Sequence, residues 1–167
     1  MPQALLLFVV PALLALAAGW DLTSYTIPNF VSAALIAAFA LFALATHMAL
    51  GAMGTHLLAG MLGLCAGFAL FALGTIGGGD AKLFAAIALW LGFANLLDFT
   101  LAASLFGGAL ALLILGLRHL PLPATLYGQN WLVRLHDRKA GIPYGVALAA
   151  GALAVLPGTE MYRLVAL

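Results

Sequence analysis

Long runs of apolar residues constrain this chain more than any other feature of its sequence. Six stretches carry almost no charge, and the longer ones reach about twenty residues, the length of helix that crosses a bilayer core. Of the 167 residues, 66% are hydrophobic and only 7% are charged. Too few polar side chains remain to cover a soluble core, so the sequence predicts an all-α, polytopic integral membrane protein.

We predict that the six stretches are six transmembrane helices. Little sequence lies outside them, so residues 1–167 are expected to form a single domain with the lipid bilayer as a partner. The fourth stretch is short, and the stem of Lys82 is expected to extend it to the interface. The predicted spans are Ala4–Gly19, Phe30–Leu50, Leu57–Ile76, Leu83–Leu97, Phe99–Leu117 and Ile142–Pro157.

The basic residues predict the orientation, because lysine and arginine in short loops stay on the cytoplasmic side. An external N-terminus places all but one of the six basic residues in cytoplasmic loops. These residues are Lys82, Arg118, Arg134, Arg138 and Lys139, whereas Arg163 falls on the opposite side. The sequence therefore predicts that both the N-terminus and the C-terminus lie outside.

The composition also excludes several classes of function. A net charge of +1 provides no basic face for phosphates, so nucleic-acid binding is not expected. The single cysteine, Cys65, permits neither an intrachain disulfide nor a cysteine-cluster zinc site. The four histidines lack metal-ligand spacing. We therefore expect neither a metal ion nor another cofactor.

Two aspartates stand out against this apolar background. Asp21 ends the first predicted span and Asp80 opens the fourth, so both are expected at the cytoplasmic boundary. Ionisable residues at a membrane span are costly, which makes function the first hypothesis. If their carboxyl groups approach closely, both cannot stay ionised, and the pair shares a proton. Such a pair can hydrolyse a peptide bond, with one acid activating water and the other protonating the carbonyl.

The residues around the two aspartates are typical of an active site, although each also has a simpler structural interpretation. The glycines before Asp80 let a backbone approach closely, or else form a plain turn with Asp80 as the N-cap. Lys82 keeps Asp80 ionised or contacts an acidic group of the substrate, or else anchors the helix at the interface. The residues expected at the active-site loops or along the substrate's approach are Gly77, Gly78, Gly79, Lys82, Ile27, Pro28, Asn29, Pro143 and Tyr144.

Three segments in this order resemble the motifs of the type IV prepilin peptidases, GxGD aspartic proteases of the bacterial inner membrane. They are WDLTSYTIPNF at 20–30, TIGGGDAKL at 75–83 and GIPYG at 141–145. The resemblance implies that Asp21 and Asp80 are the catalytic pair. It also implies a prepilin substrate, cut after its leader at the cytoplasmic membrane face, and the pilus assembly machinery as a further partner.

The chain resembles the short, peptidase-only branch of this family, whose substrates are prepilins of the Flp or tight-adherence class. Longer members add a region with paired cysteines and an N-methyltransferase activity, and this chain has one cysteine and no such region. Two other hypotheses remain at this point. The same carboxylates suit a small transporter or proton-coupled channel, and the chain also suits a non-catalytic subunit of a pilus machine.

Overall fold

The computed structural model describes the chain from residue 2 to residue 166, and side chains from residue 7 to residue 163. Between those limits the chain forms eight α-helices, as the prediction of an all-α fold requires. The helices are α1 (Pro2–Ser24), α2 (Asn29–Ala45), α3 (Leu50–Ala72), α4 (Gly78–Leu91), α5 (Leu96–Leu117), α6 (Asn130–His136), α7 (Tyr144–Val155) and α8 (Glu160–Ala166).

Each predicted span overlaps one of these helices, but not all of the helices have the length of a span. Three segments are long and apolar enough to cross a membrane: Leu7–Ser24, Leu50–Ala72 and Phe93–Leu117. Two shorter apolar helices cover Asn29–Ala45 and Tyr144–Gly158. Helix length therefore supports a membrane protein, while the six-span topology and the orientation of the termini stay predictions.

The fourth predicted span was placed too late in the chain. We predicted Leu83–Leu97, whereas α4 begins at Gly78 and ends at Leu91. The prediction let charge mark the start of the span, but a helix N-terminus accepts an acidic residue in its first turn, where Asp80 lies. Gly92 ends α4 with a φ of 73°, a conformation that glycine adopts without strain.

Helices α4 and α7 form the centre of the bundle. Helix α4 packs against α2, α3 and α7, and α7 packs against α1 and α5 as well. The second half of α4, Ala86–Leu91, is buried throughout. Helix α7 is rich in glycine and alanine, which lets its neighbours approach closely. Helices α3 and α5 lie outside this centre, and most of their large side chains are exposed on the bundle surface.

The contact between α3 and α4 depends on small residues. A Cβ atom added to Gly60 would lie 3.2 Å from the Leu89 side chain, and one added to Gly67 would lie 3.0 Å from the Ala81 Cα. Gly63 faces α4 in the same way. The small residues of α3 therefore allow close packing against α4.

The small residues of α5 behave less uniformly. Gly107 lies against the ring of Tyr144, but Gly108 has no other atom within 4 Å of its added Cβ position. Only one of this glycine pair therefore serves the packing between α5 and α7. The backbones of these two helices also approach closely at Gly151, which lies next to the backbone of Ala103.

Replacing Gly151 with alanine should therefore weaken the fold. The added Cβ would lie 2.7 Å from the Ala103 backbone nitrogen, which cannot move without displacing α5. We expect Gly151→Ala to lower the free energy of unfolding by about 1–3 kcal/mol. The matched control, Gly108→Ala, should be neutral or gain up to about 1 kcal/mol, because alanine favours a helix. Thermal unfolding of both variants in detergent measures this difference, and equal melting temperatures would contradict it.

Candidate active site

The two aspartates lie at the same end of the bundle. Asp21 is in the last turn of α1, and Asp80 is in the first turn of α4. The segment that leads into α7 reaches the same end, since the Gly145 backbone N–H donates a hydrogen bond to Asp21. Three stretches that are distant in sequence thus converge where the carboxyl groups lie.

The Asp21 carboxylate is held by the N-terminus of α7. Its Oδ2 atom accepts the hydrogen bond from Gly145 N at 2.6 Å, across a separation of 124 residues. Asp21 is only 5% exposed, so this bond replaces water that its position excludes. Gly145 lies in the first turn of α7, where unpaired N–H groups and the helix dipole attract an anion.

The Asp80 carboxylate lies at the N-terminus of its own helix. Gly77 is the N-cap of α4, and its backbone N–H donates to Asp80 Oδ2 at 3.3 Å. Asp80 is therefore not the N-cap, contrary to the alternative considered from the sequence. The other oxygen, Oδ1, is buried and has no hydrogen-bond partner among the described residues. One oxygen thus fixes the side chain, and the other is buried without a hydrogen bond from the described residues.

Ile27 lies between the N-terminal turns of α4 and α7. A Cβ added to Gly79 would lie 3.1 Å from the Ile27 Cβ, and one added to Gly145 would lie 2.7 Å from the Ile27 Cδ1. The same added Gly145 Cβ would lie 2.9 Å from Asp21 Oδ2, so Ile27 and the Asp21 carboxylate both border Gly145. The loop after α1 therefore packs directly against the N-terminal turns of α4 and α7, and glycine is needed at both contacts.

The lysine after Asp80 points to a different partner. Lys82 Nζ donates to Asn29 Oδ1 at 2.8 Å, which ties the start of α4 to the start of α2. Among residues 7–163 no ion pair joins Lys82 to Asp80. Pro28 is the N-cap of α2, and Asn29 is the first residue of that helix. Lys82 and Asn29 therefore stabilise the helix ends around the site.

Pro143 and Tyr144 differ in their placement. Pro143 is fully buried and is the N-cap of α7. Tyr144 is half-buried and lines a cavity that also contains Asp80. This cavity has a volume of about 470 Å³ and lies between α3 and α5. Of these two residues, only Tyr144 shares a space with a carboxylate.

Two further residues were not predicted as part of the site. Gly145 contributes only a backbone N–H, and its sole sequence signal was its place in GIPYG. Arg118 was used only to predict orientation, yet it donates to three backbone carbonyls, one in α6 and two in the segment just before α7. They belong to Leu135 at 2.8 Å, Ala140 at 3.0 Å and Gly141 at 2.9 Å. Arg118 thereby positions the segment that delivers Gly145 to Asp21.

The chemistry available here is that of two carboxyl groups. In the described part of the chain no group of three histidine, cysteine, aspartate or glutamate residues could hold a metal ion. Two neighbouring carboxyl groups can share one proton, which supplies both a base for water and an acid for a carbonyl oxygen. The helix N-termini next to them favour the charge that such a reaction moves between them.

Comparisons with known proteins agree with this arrangement. The sequence model of the type IV leader peptidase family matches residues 8–112, which is more than half of the chain and includes both aspartates. The GIPYG segment lies beyond that range. No curated protein and no solved structure matched the chain. The chain belongs to the type IV leader peptidase family, and it is accordingly a membrane aspartic peptidase, a hydrolase that cuts prepilin leader peptides.

Proposed function

We propose that this peptidase cuts Flp-class prepilins at the cytoplasmic face of the bacterial inner membrane, with Asp21 and Asp80 as its catalytic pair. The observation that carries the proposal is the convergence of the two acids at one end of the bundle. The carboxyl groups belong to helices α1 and α4, and each accepts a backbone hydrogen bond at a helix N-terminus. No other pair of acidic residues is held in this way within residues 7–163.

The proposed reaction uses one ionised and one protonated carboxyl group. The ionised group takes a proton from a water molecule, whose oxygen attacks the carbonyl carbon of the scissile bond. The protonated group gives its proton to the carbonyl oxygen, which forms a tetrahedral intermediate. When that intermediate collapses, the C–N bond breaks and the leaving amine takes a proton from the first group. One hydroxyl of the intermediate gives its proton to the second group as the new carboxyl group forms. The pair then holds one proton again.

The charge distribution supports a cytoplasmic position for this end. Arg118 and Arg134 contact the segments beside the aspartates, and Lys82 lies in the same α4 turn as Asp80. Positive charge concentrated at one end of a bundle favours the cytoplasmic side. The opposite end contributes His47 and Glu160 to a separate cavity, far along the helices from the aspartates.

A small transporter or proton-coupled channel would use the same carboxylates. Membership of a peptidase family favours hydrolysis instead, and Asp80 borders a cavity of about 470 Å³ that can admit part of a substrate. The two hypotheses differ in a simple observable, since only a peptidase shortens a prepilin.

The proposed topology can be tested by labelling single cysteines in a Cys65→Ala background. Thr26→Cys and Lys139→Cys lie at the aspartate end, and His47→Cys and Glu160→Cys lie at the other. All four positions are exposed. In spheroplasts, an impermeant maleimide should label only the His47 and Glu160 variants until the membrane is opened. The reverse pattern would place the aspartates outside and contradict the proposal.

Amide substitutions test the catalytic pair. Asp21→Asn and Asp80→Asn each replace a carboxyl group with an amide of nearly the same size. The amide cannot share a proton with the remaining carboxyl group. We expect each change to reduce the rate of prepilin cleavage by at least about 10³-fold, within the range attributed to general acid–base catalysis. The mass of a co-expressed Flp-class prepilin provides the measurement.

The matched control for these variants is Asp98→Asn, an exposed aspartate in the first turn of α5. This variant should cut at the native rate. Normal cutting by the Asp21 and Asp80 variants would eliminate the proposed pair. Failure of the native chain to cut the Flp-class prepilin, together with cleavage of other prepilins, would reject the substrate class alone.

The backbone N–H that holds Asp21 can be tested with two glycines of one segment. A Cβ on Gly145 would lie 2.9 Å from Asp21 Oδ2 and would displace the carboxylate. A Cβ on Gly141 would meet no other atom within 4 Å. We expect Gly145→Ala to lower kcat by about 10²-fold, the cost of a small misplacement of a catalytic group. Gly141→Ala should keep the native kcat, and equal rates would remove Gly145 from the site.

A further inference from the structure

The cavity that reaches Asp80 is a lateral groove in the bundle. Helix α3 forms one wall and α5 the other, while α4 and α7 form the floor through Phe84 and Leu148. Leu62 and Leu70 of α3 border it and are 43% and 45% exposed, so the groove opens on the surface that faces lipid. From Leu62 to Leu70 the groove follows α3 for roughly 12 Å at 1.5 Å per residue.

Few polar groups line this groove. Thr100 and Ser104 line the α5 wall, but their hydroxyls donate to carbonyls of their own helix at 2.8 Å and 2.7 Å. Tyr144 and Asp80 also border the groove, and the buried Asp80 Oδ1 atom has no hydrogen-bond partner among the described residues. The rest of the lining is apolar, and Asp80 is the carboxylate that borders it. An occupant must be apolar in its body and polar where it meets Asp80.

The size of the groove sets how an occupant binds. A helical segment 12 Å long and 10 Å wide has a volume of roughly 900 Å³, about twice that of the cavity. The groove of about 470 Å³ therefore accepts one face of a helix and leaves the other face in lipid. Backbone in a bilayer must satisfy its own hydrogen bonds, so an apolar peptide that extends from Asp80 into the groove must be helical there.

A second groove lies on the other side of α3 and provides a comparison. It has a volume of about 390 Å³ and is bordered by Ile36 of α2 and Met61 of α3. Lys82 lines it, but Asp80 does not, and the Lys82 amine already donates to Asn29. A peptide in this second groove would meet no carboxylate. The two grooves therefore differ in the one group that cleavage requires.

We propose that the groove between α3 and α5 seats the apolar helix of the prepilin, with its first turn beside Asp80. This inference rests on the proposed function and names the substrate site. The substrate enters sideways from the bilayer, and the bond to be cut lies where the apolar helix ends. The leader continues past Asp80 into water at the aspartate end.

Cysteine cross-linking tests this placement without requiring cleavage. The peptidase carries Asp21→Asn and Cys65→Ala, together with Ser104→Cys in the proposed groove or Ile36→Cys in the second groove. A Flp-class prepilin carries one cysteine in its apolar segment. After oxidation, we expect disulfide-linked complex from Ser104→Cys at least tenfold above that from Ile36→Cys. Equal cross-linking, or more from Ile36→Cys, would overturn the proposed groove.

Bulky substitutions give an independent measurement with the active aspartates in place. Thr100→Trp fills the proposed groove, and Ile36→Trp is the matched change in the second one. We expect Thr100→Trp to raise KM at least tenfold and Ile36→Trp to change it less than twofold. Native KM for Thr100→Trp would contradict the groove, while cleavage itself would still support the proposed function. Loss of all cleavage in the native chain would reject that function, and the cross-linking would still report where the prepilin binds.

Discussion

The hydrogen bond from Gly145 N–H to Asp21 Oδ2 is the contact on which the arrangement of this site depends. It joins the end of α1 to the start of α7 at 2.6 Å, and it is the interaction that offsets the burial of an acidic group among apolar residues. Arg118 extends the same constraint, because it donates to the carbonyls of Ala140 and Gly141 just before α7 and to that of Leu135 in α6. The catalytic proposal therefore depends on backbone placement as much as on the acids themselves.

Asp80, the second acid, is also held by a backbone N–H group at a helix N-terminus. Asp80 is bound by the N-cap of its own helix, so its position follows from local sequence, whereas that of Asp21 follows from tertiary packing. Ile27 connects the two because it contacts both Gly79 and Gly145. A side chain at either glycine would separate the helix ends. Gly79, directly before Asp80, thus lets Ile27 approach closely. This role is more specific than that of a flexible turn.

Most of the helices and the importance of the two aspartates could be predicted from the sequence, because charged residues are scarce in it. The apolar runs predicted helices near the observed ones, and Asp21 and Asp80 were singled out by their place at the ends of those runs. The fourth span was predicted to run on to Leu97, since no charge interrupts the sequence before Asp98, whereas Gly92 ends α4. Gly145 was missed for another reason. Its contribution is a backbone N–H, which no side-chain pattern reveals across 124 residues.

The position of α3 links the proposed groove to the carboxylate chemistry. Helix α3 packs mainly on α4, and its Gly67 lies against Ala81, the residue next to Asp80. The width of the groove between α3 and α5 is therefore set by the same contact that borders the Asp80 turn. A shift of α3 that widened the groove would release Ala81 and loosen the N-terminus of α4. Close packing transmits small displacements. A substrate that moved α3 on binding in the proposed groove would therefore also move the turn that holds Asp80.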